Sequence, residues 1–201
     1  MKYVIHRGIT NKYIKENSYC AIKRALMDVN SSGVEFDIRL TKDNVIVLSH
    51  DSIDIESSNY SDIIKKKYLS TLDVILGINT KKILLIDIKV RNNYKRFAKR
   101  IIKYLDDINN KNIYLASFNN KIIKYLKKKT NYKLGYITFK NTKNNNYFEV
   151  INFITLSKNN INKYPNKEIF LWTIHNNNEL EEIKNKFSNI DDYYIIKDKK
   201  E

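Results

Sequence analysis

The segment Val34-Glu35-Phe36-Asp37-Ile38 alternates apolar and acidic side chains with a period of two. Side chains at positions i and i+2 of a β-strand share a face, so Glu35 and Asp37 point one way and the apolar residues point the other way. The segment Leu84-Leu85-Ile86-Asp87-Ile88-Lys89 has the same pattern, with Asp87 and Lys89 on one face. Two strands of this kind predict a sheet that packs on helices with its apolar face and encloses a polar site with the other.

Strand-like runs alternate with helix-period runs along the whole chain. The strand candidates are 3–7, 34–38 with an extension at 45–49, 83–88, 113–117, 133–138, 150–156, 168–174 and 193–197. Apolar residues spaced as on one helix face are Ile22, Ala25, Leu26 and Val29, then Tyr94, Phe97, Ala98, Ile101, Ile102 and Leu105, then Leu180, Ile183 and Phe187. Asn17-Ser18 and Asn119 or Asn120 are expected to begin helices. Between the fifth and sixth strands no clear helix is visible.

Eight strands that alternate with helices predict a parallel sheet closed into a (β/α)8 barrel, the TIM-barrel fold of the α/β class. With 201 residues the barrel has to be compact. We found no Pro/Gly-rich linker and no break in composition, and we expect one domain over residues 1–201.

The chain is basic, with a formal net charge of +15. Such a field attracts phosphates and anionic surfaces, and weak association with an anionic membrane surface is one interpretation. A biased surface rich in Lys and Asn, without any dedicated polyanion partner, is the other. The absence of an Arg-rich stripe with interleaved aromatic residues argues against nucleic acid as a partner.

The single cysteine, Cys20, excludes an internal disulfide and is expected to be buried in a helix. Without a signal-peptide pattern or an apolar run long enough for a bilayer, a cytoplasmic protein is expected.

Charged and titratable residues collect near the strand ends, where barrel enzymes have their active sites. The carboxylates of Glu35, Asp37 and Asp87 would repel one another in a barrel mouth. A divalent cation, Mg²⁺ or Ca²⁺, would relieve that repulsion. His6 and His50 would then flank the metal and transfer protons near neutral pH, while Lys89 could balance charge or hold a phosphate oxygen.

The ordered motifs resemble the glycerophosphodiester phosphodiesterase family, a branch of the barrel phosphodiesterases related to phosphatidylinositol phospholipase C. Its H-R-G, E-N-T, E-x-D, H-D and E-x-K motifs correspond to residues 6–8, 16–18, 35–37, 50–51 and 87–89. Its P-T-L-x-E-like, S-F, W-T-x-N and D-G-I-x-T-D motifs correspond to Ser70-Thr71-Leu72-Asp73, Ser117-Phe118, Trp172-Thr173-Ile174-His175 and residues 192–198.

The resemblance implies a metal-dependent phosphoric diester hydrolase of lipid and glycerol metabolism. It would hydrolyse small glycerophosphodiesters to an alcohol and sn-glycerol 3-phosphate. It further implies that His6 and His50 are the general acid and base, that Glu35, Asp37 and Asp87 bind the metal, that Arg7 and Lys89 stabilise phosphate charge, and that Trp172 forms a pocket wall. The attacking hydroxyl would come from water or from the substrate, the latter giving a cyclic intermediate.

Three differences from the family leave alternatives open. Asp87 replaces a glutamate, as in phospholipase D-like sphingomyelinases, and His175 replaces an asparagine. The segment between His50 and Ser70 is too short for the subdomain usually inserted there. A phospholipase D-like enzyme acting on lysophospholipid or sphingomyelin head groups is therefore one alternative. A catalytically silent barrel that binds phosphodiesters or membranes is the other.

Overall fold

The computed structural model describes residues 1–51, 54–106, 108, 112–139, 147–152, 168–186 and 193–201. Nine β-strands are found in these residues: β1 (Lys2–His6), β2 (Gly33–Leu40), β3 (Ile46–Leu48), β4 (Ile83–Ile88), β5 (Ile113–Ser117), β6 (Lys133–Thr138), β7 (Phe148–Asn152), β8 (Ile169–Ile174) and β9 (Tyr194–Lys197). The described helices are α1 (Tyr19–Met27), α2 (Tyr60–Ile64), α3 (Leu72–Leu76), α4 (Tyr94–Leu105), α5 (Asn120–Lys127) and α6 (Asn177–Lys186).

The sheet closes on itself, because β1 pairs in parallel with both β2 and β9. The order around the sheet is β1-β9-β8-β7-β6-β5-β4-β2, and all these neighbours are parallel. The closed barrel of eight parallel strands, with helices in the described connections after β1, β3, β4, β5 and β8, confirms the predicted (β/α)8 fold.

One strand more than predicted is present, β3, and it corrects the prediction for residues 45–49. The extension at 45–49 does not continue β2, because β3 is a separate strand that pairs with β2 in the antiparallel direction, Ile38 opposite Leu48. Thr41 and Val45 close the hairpin: Thr41 N donates to the Val45 carbonyl at 2.9 Å, and Val45 N donates to the Thr41 hydroxyl at 2.9 Å. Since β3 runs against the barrel strands, it leads the chain back to the level of Asp37, whose carbonyl oxygen accepts from Ser49 N at 3.1 Å.

The apolar faces of the strands form the core with the helices, as the parity of residues 34–38 predicts. Val34, Phe36 and Ile38 are fully buried and pack in one cluster with residues of α1, α3, α4 and α5. The stripe in α4 is buried at Phe97, Ala98, Ile101 and Leu105. Ser18 and Asn119 cap α1 and α5 with their side chains, which confirms the helix starts.

Two predicted burials are wrong. Helix α1 ends at Met27 and is capped by Asp28, so Val29 lies beyond the helix and is exposed. Cys20 lies on the outer face of α1 and is exposed too. Phe187 and residues 140–146 and 153–167, which include strand residues 153–156 and most of the weakly patterned stretch 139–167, lie outside the described residues. In the part of the chain that the structure describes, no helix is long and apolar enough to cross a membrane.

Candidate active site

Three carboxylates meet where β2 and β4 lie side by side. The parallel register pairs Asp37 directly with Asp87, and Glu35 is two residues earlier on the same face of β2. One oxygen from each carboxylate lies within 4.8 Å of the others, and all three residues are buried. Oδ1 of Asp87 is buried without a hydrogen-bond partner in the described structure. Carboxylate oxygens gathered in this way fit Mg²⁺ or Ca²⁺.

The electrostatics of this cluster fit a bound cation as well. Burial, together with the charges of Asp37 and Asp87, raises the pKa of Glu35 well above its usual value. Burial also raises the pKa of Asp87, to about 6, against the opposing effect of Lys89. Burial acts in the same direction on Asp37, but the charges of Lys89 and Arg7 and a hydrogen bond from Asn17 outweigh it and lower its pKa. Two of the three carboxylates are thus destabilised in their charged form, which a divalent cation would reverse.

Two cations adjoin the carboxylates. The Lys89 ammonium lies 2.5 Å from Asp87 Oδ2 and 3.1 Å from Asp37 Oδ1, so the i, i+2 pair on β4 also spans to β2. Arg7 follows β1 and places Nε 3.1 Å from Asp37 Oδ2, while its Nη1 donates to Glu16 at 2.9 Å. Arg7 and Lys89 both line the central cavity together with the three carboxylates. This position suits contact with an anion as well as pairing with the carboxylates.

The turn after Arg7 brings the chain close to α1. Gly8 has a φ of +88°, and a Cβ on it would lie 2.5 Å from the Ala21 carbonyl carbon. Only glycine fits this conformation and this space. The H-R-G motif therefore joins two site residues to a glycine that the backbone requires.

The two predicted histidines face the same cavity from different elements. His6 ends β1; its Nε2 lies 3.9 Å from Glu35 Oε2 and its Nδ1 is 2.7 Å from Asp198 Oδ1. His50 follows β3 and is half-exposed, with Nδ1 3.2 Å from Asp51 Oδ1. The β2–β3 hairpin, and not the end of a barrel strand, brings His50 to the mouth. Two imidazoles beside one carboxylate cluster can give and accept protons across a bound substrate.

Trp172 lines the cavity from β8, and its indole Nε1 donates to the Val150 carbonyl at 3.0 Å. Its ring packs against Phe118 and Phe139 at centroid distances of 5.9 and 5.5 Å. The residue is therefore both a wall of the cavity and part of an aromatic cluster. The cavity has a volume of about 510 Å³.

Sequence reasoning missed or undervalued three residues. Each carboxylate oxygen of Asp198 contacts a histidine Nδ1 at 2.7 Å, one in His6 and the other in His175. Asn17 makes two hydrogen bonds to Asp37, from its Nδ2 to Oδ2 at 2.9 Å and from Asp37 N to its Oδ1 at 3.0 Å. Arg39 is the next inward residue of β2 after Glu35 and Asp37, and the strand parity that found those two could have found it. Asp198 and Asn17 both lie in motifs quoted above, but the sequence alone does not show the contacts that indicate their roles.

A comparison of the sequence with known families matches residues 6–59 to the glycerophosphoryl diester phosphodiesterase family. A glycerophosphodiester phosphodiesterase of Caldanaerobacter subterraneus subsp. tengcongensis is 25% identical, over 62% of this chain and 61% of that protein. The chain thus matches less than two thirds of the length of this relative.

Similar structures cover nearly the whole chain. A glycerophosphodiester phosphodiesterase from Parabacteroides distasonis has a TM-score of 0.79 at 20% identity, with 98% of this chain and 92% of that chain covered. One from Thermotoga maritima has a TM-score of 0.71 at 21% identity and coverage of 97% and 93%. An Oleispira antarctica phosphodiesterase, solved with the product sn-glycerol 3-phosphate, has a TM-score of 0.78 at 14% identity and coverage of 98% and 92%. At these identities the matches establish the fold.

Proposed function

We propose that this chain hydrolyses glycerophosphodiesters to an alcohol and sn-glycerol 3-phosphate. Its motifs, its family match and its fold all resemble those of the glycerophosphodiester phosphodiesterases. The observation that supports this most is the position of His6 and His50 beside the buried cluster of Glu35, Asp37 and Asp87 in one cavity. A small phosphodiester fits a cavity of about 510 Å³.

The proposed roles follow from the contacts. Glu35, Asp37 and Asp87 would hold one divalent cation, Mg²⁺ or Ca²⁺, which when bound would neutralise charge on the phosphoryl oxygens. Arg7 and Lys89 line the same cavity, and their cationic groups can approach further phosphate oxygens. One histidine would remove the proton of the attacking hydroxyl, and the other would protonate the leaving alkoxide. Trp172 would form the wall of the substrate pocket on the β8 side.

The decisive experiment measures the release of sn-glycerol 3-phosphate from glycerophosphocholine, glycerophosphoethanolamine and glycerophosphoglycerol, with added Mg²⁺, with added Ca²⁺ and after chelation. We expect turnover that chelation abolishes. Asp37→Asn keeps the shape of the side chain but removes its charge, and it is expected to abolish metal-dependent turnover. Asp62→Asn removes an exposed carboxylate on α2 and is the matched control, with activity retained. Full activity after exhaustive chelation contradicts the metal role.

A phospholipase D-like activity on lysophospholipids is the second candidate. Phe118 and Phe139 are half-exposed beside Trp172 at the cavity mouth, and this apolar surface suits an acyl chain. Release of choline from lysophosphatidylcholine, faster than from glycerophosphocholine, would favour this candidate. Binding of either compound without turnover would instead favour a silent barrel.

A further inference from the structure

The large exposed apolar side chains differ between the two ends of the barrel. Tyr13, Tyr68, Phe118 and Phe139 are 80%, 77%, 49% and 55% exposed, and all four are aromatic. Phe118 and Phe139 directly follow β5 and β6, Tyr13 lies between β1 and α1, and Tyr68 lies between α2 and α3, beside His50. The other large exposed apolar residues are aliphatic: Met1, Met27 and Val29 lie at the opposite end, and Ile64 and Val74 lie on α2 and α3. Within the described residues, the exposed aromatic side chains thus collect around the cavity mouth.

Lysines accompany these rings. Lys15, Lys66 and Lys67 line a depression with Tyr13 and Tyr68 next to the main cavity. Of the two acidic side chains of this depression, Glu16 is paired with Arg7 at 2.9 Å and Asp51 contacts the His50 imidazole at 3.2 Å, so the three lysines exceed the acidic charge there. The surface around the mouth therefore combines exposed aromatic rings with positive charge. We call the set Tyr13, Lys15, Lys66, Lys67, Tyr68, Phe118 and Phe139 the basic-aromatic rim.

We propose that the basic-aromatic rim docks the catalytic end of the barrel onto an anionic lipid surface. Tyrosine and phenylalanine rings partition into the interface of a bilayer, and lysines are attracted to anionic head groups. A nucleic acid suits the rim less well, because its cations are lysines on separate loops and not an arginine-rich stripe. In the docked orientation the mouth of the cavity faces the lipid, so the substrate enters at the membrane surface.

Sedimentation with vesicles tests the docking without any need for turnover. We expect binding to vesicles of phosphatidylcholine with one third phosphatidylglycerol, weaker binding to pure phosphatidylcholine, and loss of binding at high salt. The double variant Tyr13→Ser/Tyr68→Ser is expected to bind on the order of tenfold more weakly. Met27→Ser/Val29→Ser at the other end of the barrel is the matched control and should bind as the wild type does. Thermal melting confirms that both variants are folded.

Three outcomes would overturn this proposal. The first is no binding to anionic vesicles, and the second is an equal loss of binding in both double variants. The third is binding to an RNA homopolymer that the rim variant weakens as strongly as vesicle binding. None of them bears on hydrolysis of soluble glycerophosphodiesters, so this proposal can fail while the proposed function stands.

A different observation identifies Arg39 as a further residue of the site. Its guanidinium is buried and donates twice to the His50 carbonyl oxygen, from Nε at 3.0 Å and from Nη2 at 2.6 Å. The His50 ring itself is half-exposed and contacts Asp51, its own neighbour in the chain. The position of this imidazole thus depends on its backbone, which Arg39 holds. The geometry points to Arg39 as a positioning residue for His50, an inference that rests on the proposed function.

The substitution Arg39→Lys keeps the positive charge but cannot reproduce the two hydrogen bonds from one guanidinium to the His50 carbonyl oxygen. Displacement of a reacting group by about 1 Å can cost on the order of 100-fold in rate, and we expect Arg39→Lys to lower kcat by about 10–100-fold at an unchanged KM. Mg²⁺ affinity, measured by calorimetry, should stay the same, because the carboxylates of Asp37 and Asp87 are not displaced. Glu56→Gln is the control: it removes the negative charge from a longer contact to Arg39 Nη1, at 3.4 Å, and leaves both bonds to the carbonyl.

A double-mutant cycle separates positioning from a general structural role. In the His50→Ala background, Arg39→Lys should have almost no further effect on kcat, because the group it positions is gone. Equal losses in both backgrounds would overturn the inference, and so would a lower Mg²⁺ affinity, which would place the effect of Arg39 on the carboxylates. A wild type without turnover would refute the proposed function instead.

Discussion

The bridge from Asp198 to two histidines leads to a quantitative prediction for Asp198→Asn. Each carboxylate oxygen lies 2.7 Å from an imidazole Nδ1, one in His6 and one in His175. An asparagine has nearly the same shape but offers one accepting oxygen and one donating amide group. It can therefore accept from one Nδ1–H, while the other ring has to change its tautomer or lose its contact. The substitution tests whether the bridge needs a charge.

The size of the effect can be worked out from the pKa of Asp198. Burial acts to raise it, but the hydrogen bonds and charges of His6 and His175 prevail and lower it from 3.8 to about 2. That difference corresponds to about 2 kcal/mol of stabilisation, and the partial exposure of the side chain reduces it to about 1–2 kcal/mol. A lowered pKa stabilises the fold above the unfolded value of about 3.8, and this stabilisation disappears as the pH falls towards 2.

At pH 7 we therefore expect Asp198→Asn to lower the free energy of unfolding by about 1–2 kcal/mol, measured by urea denaturation. The difference from the wild type should shrink between about pH 4 and pH 2. Because His6 loses a fixed partner, kcat should also fall, by up to about 100-fold. Asp62→Asn serves as the control for a carboxylate outside the site. Wild-type stability at pH 7, or a difference that stays constant down to pH 2, would refute the reasoning.

Three further substitutions have expected outcomes. Asp87→Glu introduces the glutamate of the family that the chain resembles and should still bind Mg²⁺ in calorimetry; loss of binding would mean that the site has adapted to the shorter side chain. His175→Ala should cost less than about tenfold in kcat, against roughly 10²–10⁴-fold for His6 and His50 in their proposed roles, and an equal loss would add His175 to the proposed catalytic set. Gly33→Ala should destabilise the fold by about 1–3 kcal/mol in urea, because its Cβ would lie 2.4 Å from the Ile83 carbonyl oxygen; wild-type stability would contradict that contact.

Strand parity predicted more of this molecule than any other pattern. It separated the inner from the outer residues of β2 and β4, and with them the candidate metal ligands, because the period of two is fixed by the backbone alone.

Helix periodicity predicted the end of α1 wrongly, because a turn begins there before the apolar pattern ends. The stripe of α1 continues formally to Val29, but the chain leaves the helix at Asp28, which begins the turn to β2. Residues 45–49 were predicted to extend the second strand, although Asp43-Asn44 between two apolar runs is typical of a hairpin turn, and Asn44 has a φ of +68°.

Contacts between distant residues were harder to predict, yet they differ among themselves. His6 and Asp198 are separated by 192 positions, but a closed barrel makes its first and last strands neighbours. Once closure is predicted, residues at the ends of β1 and β9 must meet, so this contact followed from the fold. The contact from Arg39 to the His50 carbonyl does not follow in that way, because it depends on how far the hairpin folds back over β2. Closure thus determines which strand ends form the site and brings Asp198 to His6, while the β2–β3 hairpin determines how His50 is held.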